Sequence, residues 1–264
     1  MYITALMENT SGNECCATEH GLSLYVETKR HRILFDTGQS GLFAENAKAL
    51  GIDLEAVDLA VLSHGHYDHS GGLEEFLRIN RKAKVYLNRG AFVPHYNKVG
   101  KYIGVAPDLK GNPRIVETGD SLDLGDGIRL VTYNQRPCFC PVESYGMTEE
   151  TEGVRKPDAF RHEQYLIVTE GDQKVLLSGC SHKGIYNVVQ WAAEEKVDVV
   201  IGGFHFMTLQ PEEYGRMDRT AEKLLEYPAV YYTCHCTGVP QYEYLKGKMG
   251  DALHYLAAGQ TLDL

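Results

Sequence analysis

The sequence lacks the features that mark membrane and nucleic-acid-binding proteins. It contains no apolar run of the roughly 20 residues that a membrane-spanning helix needs. Residues 1–9 lack the basic region and apolar core of a secretory signal. Lysine and arginine number 26 against 36 acidic residues, so the formal net charge is −10. Because nonspecific nucleic-acid binding needs an excess of positive charge, we expect no nucleic-acid partner. Because no apolar run is long enough to span a bilayer, we expect no membrane partner. The expected partner is a small-molecule substrate.

Cysteine spacing gives no sign of a disulfide framework or of a zinc knuckle. The seven cysteines are odd in number, and the pairs at 138/140 and 234/236 have one intervening residue instead of two. Since no secretory signal is found, we expect a cytoplasmic protein with reduced thiols, most of them small buried residues. The oligomeric state is not indicated by the sequence.

The length leaves room for one large α/β domain, although two small domains would also fit by length alone. Hydrophobic residues make up 43% and charged residues 23%, which is ordinary for a globular protein. Strands are predicted at 22–27, 33–35, 59–62, 84–87, 128–133, 165–169, 174–177, 198–201 and 230–233. Helices are predicted at 43–50, 73–81, 185–195 and 212–226. Residues 134–160 have three prolines and little periodicity, and they are interpreted as an irregular loop over the mouth of a site, with a plain surface insertion as the alternative.

The densest group of candidate metal ligands directly follows a predicted buried strand. Residues 63–72 read SHGHYDHSGG, which places His64, His66, Asp68 and His69 within six residues. In extended chain, residues i and i+2 point to the same side, so the first two histidines can bind one cation. Asp68 and His69 follow the turn and can face a second point nearby. Imidazole and carboxylate ligands together suit borderline-soft divalent metals, so a metal site is favoured over a merely polar loop.

This run resembles the HxHxDH motif of the metallo-β-lactamase superfamily. The residues DTG at 36–38, after a predicted strand, resemble the upstream aspartate motif of that family. Four more motifs, EHGLS at 19–23, GCSH at 179–182, GGFH at 202–205 and HCTG at 235–238, are similar to one branch of it. That branch is labelled 7,8-dihydropterin-6-yl-methyl-4-(β-D-ribofuranosyl)aminobenzene 5′-phosphate synthase-like. The resemblance implies a four-layer αββα sandwich over residues 1–264 as a single domain.

The same resemblance implies two metal sites. The first would be formed by His64, His66 and His162, the last of which precedes a predicted strand. The second would be formed by Asp68, His69 and His235. Three protein ligands per ion would leave positions for water or substrate, as a catalytic site requires. Asp36 is expected to orient these ligands by hydrogen bonding.

Cys180 departs from the pattern of the hydrolytic relatives, which carry a bridging aspartate at that point. The zinc β-lactamases carry a cysteine there. A thiolate ligand would favour zinc, and iron or manganese remain alternatives. The thiol is either a direct ligand or a neighbour that leaves water as the sole bridge between the ions.

Three further histidines belong to the branch motifs. His182 and Lys183 precede a predicted helix, where backbone N–H groups favour an anion. His205 follows a predicted buried strand, and His20 lies in the first branch motif. We interpret His20, His182, His205 and Lys183 as candidates for substrate binding, with His182 or His205 as a proton donor; the alternative is that these histidines only hold ligands in place. The histidines at 31, 95 and 254 lie in no motif and are interpreted as surface or core residues.

The leading hypothesis from the sequence is a metal-dependent hydrolase with two divalent ions, zinc favoured. The ions would generate hydroxide as the attacking group, and Asp68 would hold metal and accept a proton. The expected substrate is a small phosphorylated or phosphodiester compound. Alternatives are a synthase-type transferase on a pterin precursor, as the branch label implies, and a non-catalytic metal sensor. A diiron flavoprotein is disfavoured, because such relatives carry glutamate at the position of His66 together with a flavodoxin domain.

Overall fold

The computed structural model describes residues 1–264. The strands, in chain order, are β1 (Tyr2–Met7), β2 (Ser23–Glu27), β3 (Arg32–Phe35), β4 (Leu59–Val61), β5 (Lys84–Asn88), β6 (His95–Tyr96), β7 (Ile115–Thr118), β8 (Ser121–Gly125), β9 (Ile128–Val131), β10 (Thr148–Thr151), β11 (Val154–Pro157), β12 (Tyr165–Glu170), β13 (Gln173–Leu177), β14 (Val199–Ile201), β15 (Val230–Thr233), β16 (Leu253–Tyr255) and β17 (Thr261–Asp263). The α-helices are α1 (Leu42–Ala49), α2 (Tyr67–Ser70), α3 (Leu73–Ile79), α4 (Ile185–Trp191), α5 (Gly215–Leu224) and α6 (Val239–Met249).

Two seven-stranded sheets form the centre of the molecule. Their strand orders are β17-β1-β2-β3-β4-β5-β7 and β16-β15-β14-β13-β12-β9-β8. In the first sheet β3, β4, β5 and β7 run parallel, and in the second β13 to β16 run parallel. Both parallel sets consist mainly of short apolar runs such as Val199–Ile201, as expected for strands covered on both faces.

The sheets pack face to face, and helices cover both outer faces. Ile33 of the first sheet and Ile201 of the second belong to the apolar layer between the sheets. Phe43 of α1 and Phe76 of α3 cover the outer face of the first sheet. Helices α4, α5 and α6 cover the second sheet, as with Met217, whose side chain is fully buried. Burying one such side chain stabilises the fold by roughly 1.5–3 kcal/mol. The predicted αββα sandwich is confirmed.

Residues 134–160 differ in part from the predicted irregular loop. Strands β10 and β11 form an antiparallel hairpin, and β6 extends it to a small three-stranded sheet. Glu152 and Gly153 join the two strands with φ values of 53° and 76°. A two-residue turn with both φ values positive matches the right-handed twist of paired strands, which explains why the chain folds back here. None of the helices combines the length and apolar character needed to cross a bilayer.

Candidate metal centre

The candidate ligands collect where parallel strands of both sheets end. Asp36 follows β3, and His64 follows β4 after a two-residue extension. Cys180, His205 and His235 follow β13, β14 and β15. Because the carboxyl ends of parallel strands meet at one edge of a sheet, side chains that are distant in sequence converge there.

Several of these strand ends have unusual backbone geometry. Asp36, Ser181, His205 and His235 have φ values of 60°, 54°, 57° and 47°. The left-handed region costs a non-glycine residue on the order of 1 kcal/mol and persists where surrounding structure holds it. Such residues cluster at functional sites, so their concentration at this edge supports a function there.

Three imidazoles form what we call the histidine cluster: His64, His66 and His182. The Nε2 atom of His182 lies 3.1 Å from Nδ1 of His66 and 3.2 Å from Nε2 of His64. A zinc ion with tetrahedral nitrogen ligands at about 2.0–2.1 Å separates those nitrogens by roughly 3.3 Å. The three side chains are buried, at 1%, 3% and 3% exposure. The spacing of the nitrogens therefore fits a bound divalent cation.

Hydrogen bonds fix the orientation of one of these three rings. The Ser63 hydroxyl donates to Oδ2 of Asp36 at 2.7 Å, so it accepts from Nδ1 of His64 at 2.8 Å. The His64 lone pair is therefore on Nε2, facing the cluster. Nε2 of His66 and Nδ1 of His182 have no hydrogen-bond partner. Burial, with the neighbouring histidines, holds the pKa of all three imidazoles well below the usual range, so they are neutral and able to bind metal.

Four side chains of different chemistry form the mixed cluster: Asp68, His69, Cys180 and His235. Nε2 of His69 lies 3.0 Å from Sγ of Cys180 and 3.9 Å from Oδ2 of Asp68. Nε2 of His235 lies 3.3 Å from the same aspartate oxygen. One ligand atom from each residue lies within 4.8 Å of all the others. Nitrogen, oxygen and sulfur thus converge on one point.

Both histidines of the mixed cluster are oriented by hydrogen bonds through Nδ1. His69 donates from Nδ1 to Oδ2 of Asp36 at 2.7 Å. His235 donates from Nδ1 to Oδ1 of Asn9 at 2.8 Å, and that oxygen also accepts from the backbone N–H of Gly21 at 3.2 Å. Each ring therefore presents the lone pair of Nε2 to the cluster. An imidazole held through its other nitrogen is the usual arrangement of a metal ligand.

Electrostatics of the mixed cluster call for a cation. Burial opposes ionisation of Asp68, but the hydrogen bond from His20 and the electrostatic effect of His69 outweigh it and hold the pKa of Asp68 well below its usual range. Burial lowers the pKa of His235 to about 4, so its only proton is the one on Nδ1. The carboxylate of Asp68 and the bare Nε2 of His235 thus face each other with no proton between them. A divalent cation removes that repulsion, so the residues present fit a metal ion.

The thiol and the remaining histidine of this cluster respond differently to burial. Burial raises the pKa of the Cys180 thiol well above its usual range, so the thiolate requires a metal ion beside it. Burial also disfavours a charge on His69, but Asp36 outweighs burial and raises the pKa of this imidazole. Metal binding must therefore compete with protons at these two side chains.

The structure does not bring His162 into the histidine cluster. Its Nδ1 accepts from the backbone N–H of Gly65 at 3.0 Å, and its Nε2 lies 3.4 Å from Oδ2 of Asp158. Nδ1 of His95 lies 2.8 Å from the same carboxylate oxygen, and the His95 and His162 rings are 4.0 Å apart. The place beside the first two histidines of the motif is taken by His182. A ligand role for His162 stays a prediction.

No local motif identifies His95 and Asp158 as candidate site residues. Both side chains are buried, and together with His66 and His162 they form a third group whose ligand atoms lie within 4.8 Å of one another. His95 lies on β6, and Asp158 directly follows β11. Strands β6 and β11 both pair with β10, and this pairing brings the two residues to the site. Only that long-range pairing identifies them.

Of the other candidates, His20 contacts the mixed cluster. Its Nδ1 lies 3.3 Å from the side-chain nitrogen of Asn9 and therefore accepts, which leaves Nε2 as a donor. Nε2 lies 3.3 Å from Oδ2 of Asp68. In this arrangement His20 acts on the carboxylate and offers no lone pair to a metal.

Lys183 points away from both clusters. Its ammonium donates to the backbone oxygens of Thr132 and Glu163 at 2.9 and 3.0 Å, and to Oδ1 of Asn134 at 2.9 Å. Burial lowers the pKa of Lys183 to about 8. Three oxygens satisfy its three N–H groups, so the structure does not place this charge where the sequence suggested an anion.

His205 faces the histidine cluster from β14. Its ring lies 4.4 Å from that of His182 and 4.2 Å from that of Tyr145. Nδ1 of His205 has no hydrogen-bond partner, and burial lowers the pKa of the ring to about 4. The imidazole is therefore neutral near pH 7 and provides a hydrogen-bonding group next to the ligands.

Comparison with known proteins gives concordant results. Residues 18–184 match the family described as the metallo-beta-lactamase superfamily. An uncharacterized protein of Methanocaldococcus jannaschii is 30% identical over 244 residues, which are 89% of this chain and 90% of that protein. From the same organism, 7,8-dihydropterin-6-methyl-4-(beta-D-ribofuranosyl)-aminobenzene-5'-phosphate synthase is 27% identical over 287 residues, covering 98% of this chain and 95% of that protein. A crystal structure described as a metal-dependent hydrolase of the beta-lactamase superfamily has a TM-score of 0.84 and 30% identity, covering 100% of this chain and 99% of that one.

Proposed function

The chain belongs to the metallo-beta-lactamase superfamily, and from that membership we propose that it is a metal-dependent hydrolase acting on a small phosphorylated or phosphodiester substrate. The observation that carries the proposal is the pair of adjacent ligand clusters, which His64 and His69 connect with a ring separation of 4.2 Å. Two ligand clusters this close together would suit the pair of ions found in dinuclear hydrolytic sites.

The histidine cluster would hold one divalent ion, and the mixed cluster would hold the other. When bound, two such ions lower the pKa of water and polarise the electrophile. We propose zinc, because a thiolate at Cys180 and neutral imidazoles are ligands that suit it, with iron or manganese as alternatives. We also propose that the protein is cytoplasmic and forms a single domain.

The protein's own groups would position the substrate and move protons. Asp68, held by His20 on one side, has carboxylate oxygens for a metal and for a proton of the attacking water. His182 cannot donate a proton through Nε2 while that nitrogen binds metal. His205 has no such conflict, so it would hydrogen-bond the leaving group or an anionic oxygen of the substrate.

A second candidate function is a synthase-type transferase. It is favoured by the similarity to the aminobenzene-phosphate synthase of M. jannaschii, which extends over 98% of this chain. Both functions need a phosphorylated substrate and a metal site, so the ligand clusters alone do not distinguish them. A non-catalytic metal sensor is the third candidate function, and a hydrolysis assay distinguishes it from the hydrolase.

The testing experiment is elemental analysis of protein purified without added metal, combined with a panel of substrates. The panel contains bis(4-nitrophenyl) phosphate, 4-nitrophenyl phosphate, a β-lactam, a lactone and a thioester. We expect about two ions per chain, as dinuclear catalysis requires, and phosphodiester turnover that chelation removes and metal restores. Two ions without turnover of any ester would favour the transferase or the sensor. Fewer than one ion after reconstitution with zinc, manganese and iron would contradict the proposal.

A further inference from the structure

A cleft of about 480 Å³ opens beside the histidine cluster, and His182 forms part of its wall. Its volume lies within the range of sites that enclose a small organic molecule. The opposite wall is the exposed side of α5, and residues Cys140 and Tyr145 of the segment before β10 complete it. The cleft therefore leads from the proposed reaction site to a surface that the metal ligands do not include.

Helix α5 lines this cleft with positive charge. Arg216, Arg219 and Lys223 stand at positions i, i+3 and i+7 and so lie on one face of the helix, while Met217 and Ala221 on the other face are buried. At 1.5 Å per residue the charges extend over roughly 10 Å. Such a row is longer than one phosphate group.

The charge of the cleft contrasts with that of the whole chain. Three cations line it against one carboxylate, Glu143, although the protein has a formal net charge of −10. Arg216 pairs with Glu143 at 2.9 Å, and Lys223 pairs with Glu226 at 2.8 Å. The guanidinium of Arg219 has no hydrogen bond or ion pair within the chain. Its planar N–H fork is thus free to bind a phosphate or carboxylate in a bidentate manner.

Aromatic side chains line the same cleft. Tyr145, Tyr186 and Phe206 line it together with His182 and the cations of α5. Tyr145 also contacts His205, with ring centres 4.2 Å apart. Planar surfaces of this kind suit a flat ring of a ligand, because aromatic pairs prefer offset stacking or edge contacts.

We infer that this cleft is a subsite for a second anionic group of the substrate, a terminal phosphate on a planar ring system, and that Arg219 is its principal recognition residue. The inference rests on the proposed function, in which the bond to be broken lies at the metal clusters next to His182. It moves anion recognition from Lys183, whose ammonium is satisfied in the interior, to α5. Recognition of a charged group remote from the reacting bond would set substrate choice.

The test measures binding instead of turnover. Isothermal titration calorimetry on the protein as purified compares adenosine 5′-monophosphate with adenosine, and phenyl phosphate serves as a smaller probe. We expect the monophosphate to bind at least about tenfold more tightly than adenosine, and the difference to shrink at high salt. The variant Arg219→Met should weaken monophosphate binding about tenfold or more and leave adenosine binding and metal content unchanged. The variant Arg219→Lys, which keeps the positive charge, should retain part of the monophosphate affinity.

Arg78→Met is the matched control, since Arg78 lies on α3 and pairs with Glu75 outside the cleft. Equal binding of the phosphates by the wild type and Arg219→Met would overturn the inference, as would failure of both phosphates to bind. Binding that depends on Arg219 without ester hydrolysis would uphold the subsite and refute the hydrolase. Ester hydrolysis, together with phosphate binding that is the same in the wild type and in Arg219→Met, would uphold the hydrolase and refute the subsite.

Discussion

The two ligand clusters are adjacent but differ in how the protein prepares them. In the mixed cluster, Asp36 and Asn9 hold His69 and His235 through Nδ1, so both rings are oriented before a metal binds. In the histidine cluster, only His64 has such support, from Ser63. The ring of His182 is held mainly by packing, since it stacks on the ring of Phe160 with centres 4.4 Å apart.

Charge distinguishes the clusters as well. The mixed cluster has an ionised carboxylate and a thiol that can ionise, and Asp36 adds a further buried carboxyl group behind it. The histidine cluster offers three neutral imidazoles. A divalent cation in the mixed cluster would therefore be stabilised by opposite charge and by ligands that are already oriented, whereas the histidine cluster would provide only dipoles and lone pairs.

The largest effect is expected from removing the charge of the mixed cluster. Asp68→Ala should abolish binding of one of two ions and lower phosphodiester turnover on the order of a thousandfold, as loss of a central electrostatic group does. Elemental analysis and steady-state kinetics measure both effects. Asp108→Ala, at an exposed position in the same chain, is the control. Unchanged metal content in Asp68→Ala would show that the mixed cluster is not a metal site.

A paired substitution decides which histidine completes the histidine cluster. His182→Gln should remove one ion and lower turnover by about a hundredfold or more, because a nitrogen within 3.2 Å of the other two is lost. His162→Gln should keep both ions, since the nitrogens of His162 contact the backbone N–H of Gly65 and the carboxylate of Asp158. Metal analysis of both variants gives the result. The opposite pattern would show that His162 is the ligand, as the sequence predicted.

Weakening the support behind the ligands should have a smaller effect. Asp36→Asn keeps the side-chain shape but weakens the acceptor for His69, so the metal affinity of the mixed cluster should fall about 10- to 100-fold. Ser63→Ala removes the partner of His64 and should act chiefly on the histidine cluster. Competition with a chromophoric chelator measures both affinities. If the two variants weaken the same ion equally, the clusters are not independently supported.

The smallest effect is the release of protons on metal binding. Burial raises the pKa of the Cys180 thiol well above its usual range, so the metal-free mixed cluster keeps that proton, which must leave when metal binds. Affinity there should therefore rise with pH, and metal binding should release about one proton. The imidazoles of the histidine cluster have lowered pKa values and no proton to release. Calorimetry in buffers of different ionisation enthalpy counts the protons, and equal release at both clusters would contradict the contrast.

The strands and helices with strong local patterns were predicted to within a few residues. Strand β15 has the predicted bounds, β3 differs from prediction by one residue at one end, and α1 differs by one residue at each end. No strand is predicted at the positions of β1 and β17, which pair with each other from opposite ends of the chain. Helix α6 was missed too: it begins at Val239 with a proline next, and its apolar residues are spread around it.

The sequence by itself determined the dense run of ligands from His64 to His69, because closely spaced residues carry that information. The superfamily and the sandwich followed from the resemblance of several short motifs to a known family, since the strand pattern alone fits other α/β arrangements. The tertiary structure alone decided which side chains face one another. It placed His182 instead of His162 beside the first two histidines of the motif. The ammonium of Lys183 is buried in the interior, and the guanidinium of Arg219 lines the cleft. The direction in which a side chain points depends on backbone φ values, on hydrogen bonds and on packing between strands that are far apart in sequence. Local spacing of residues does not encode these.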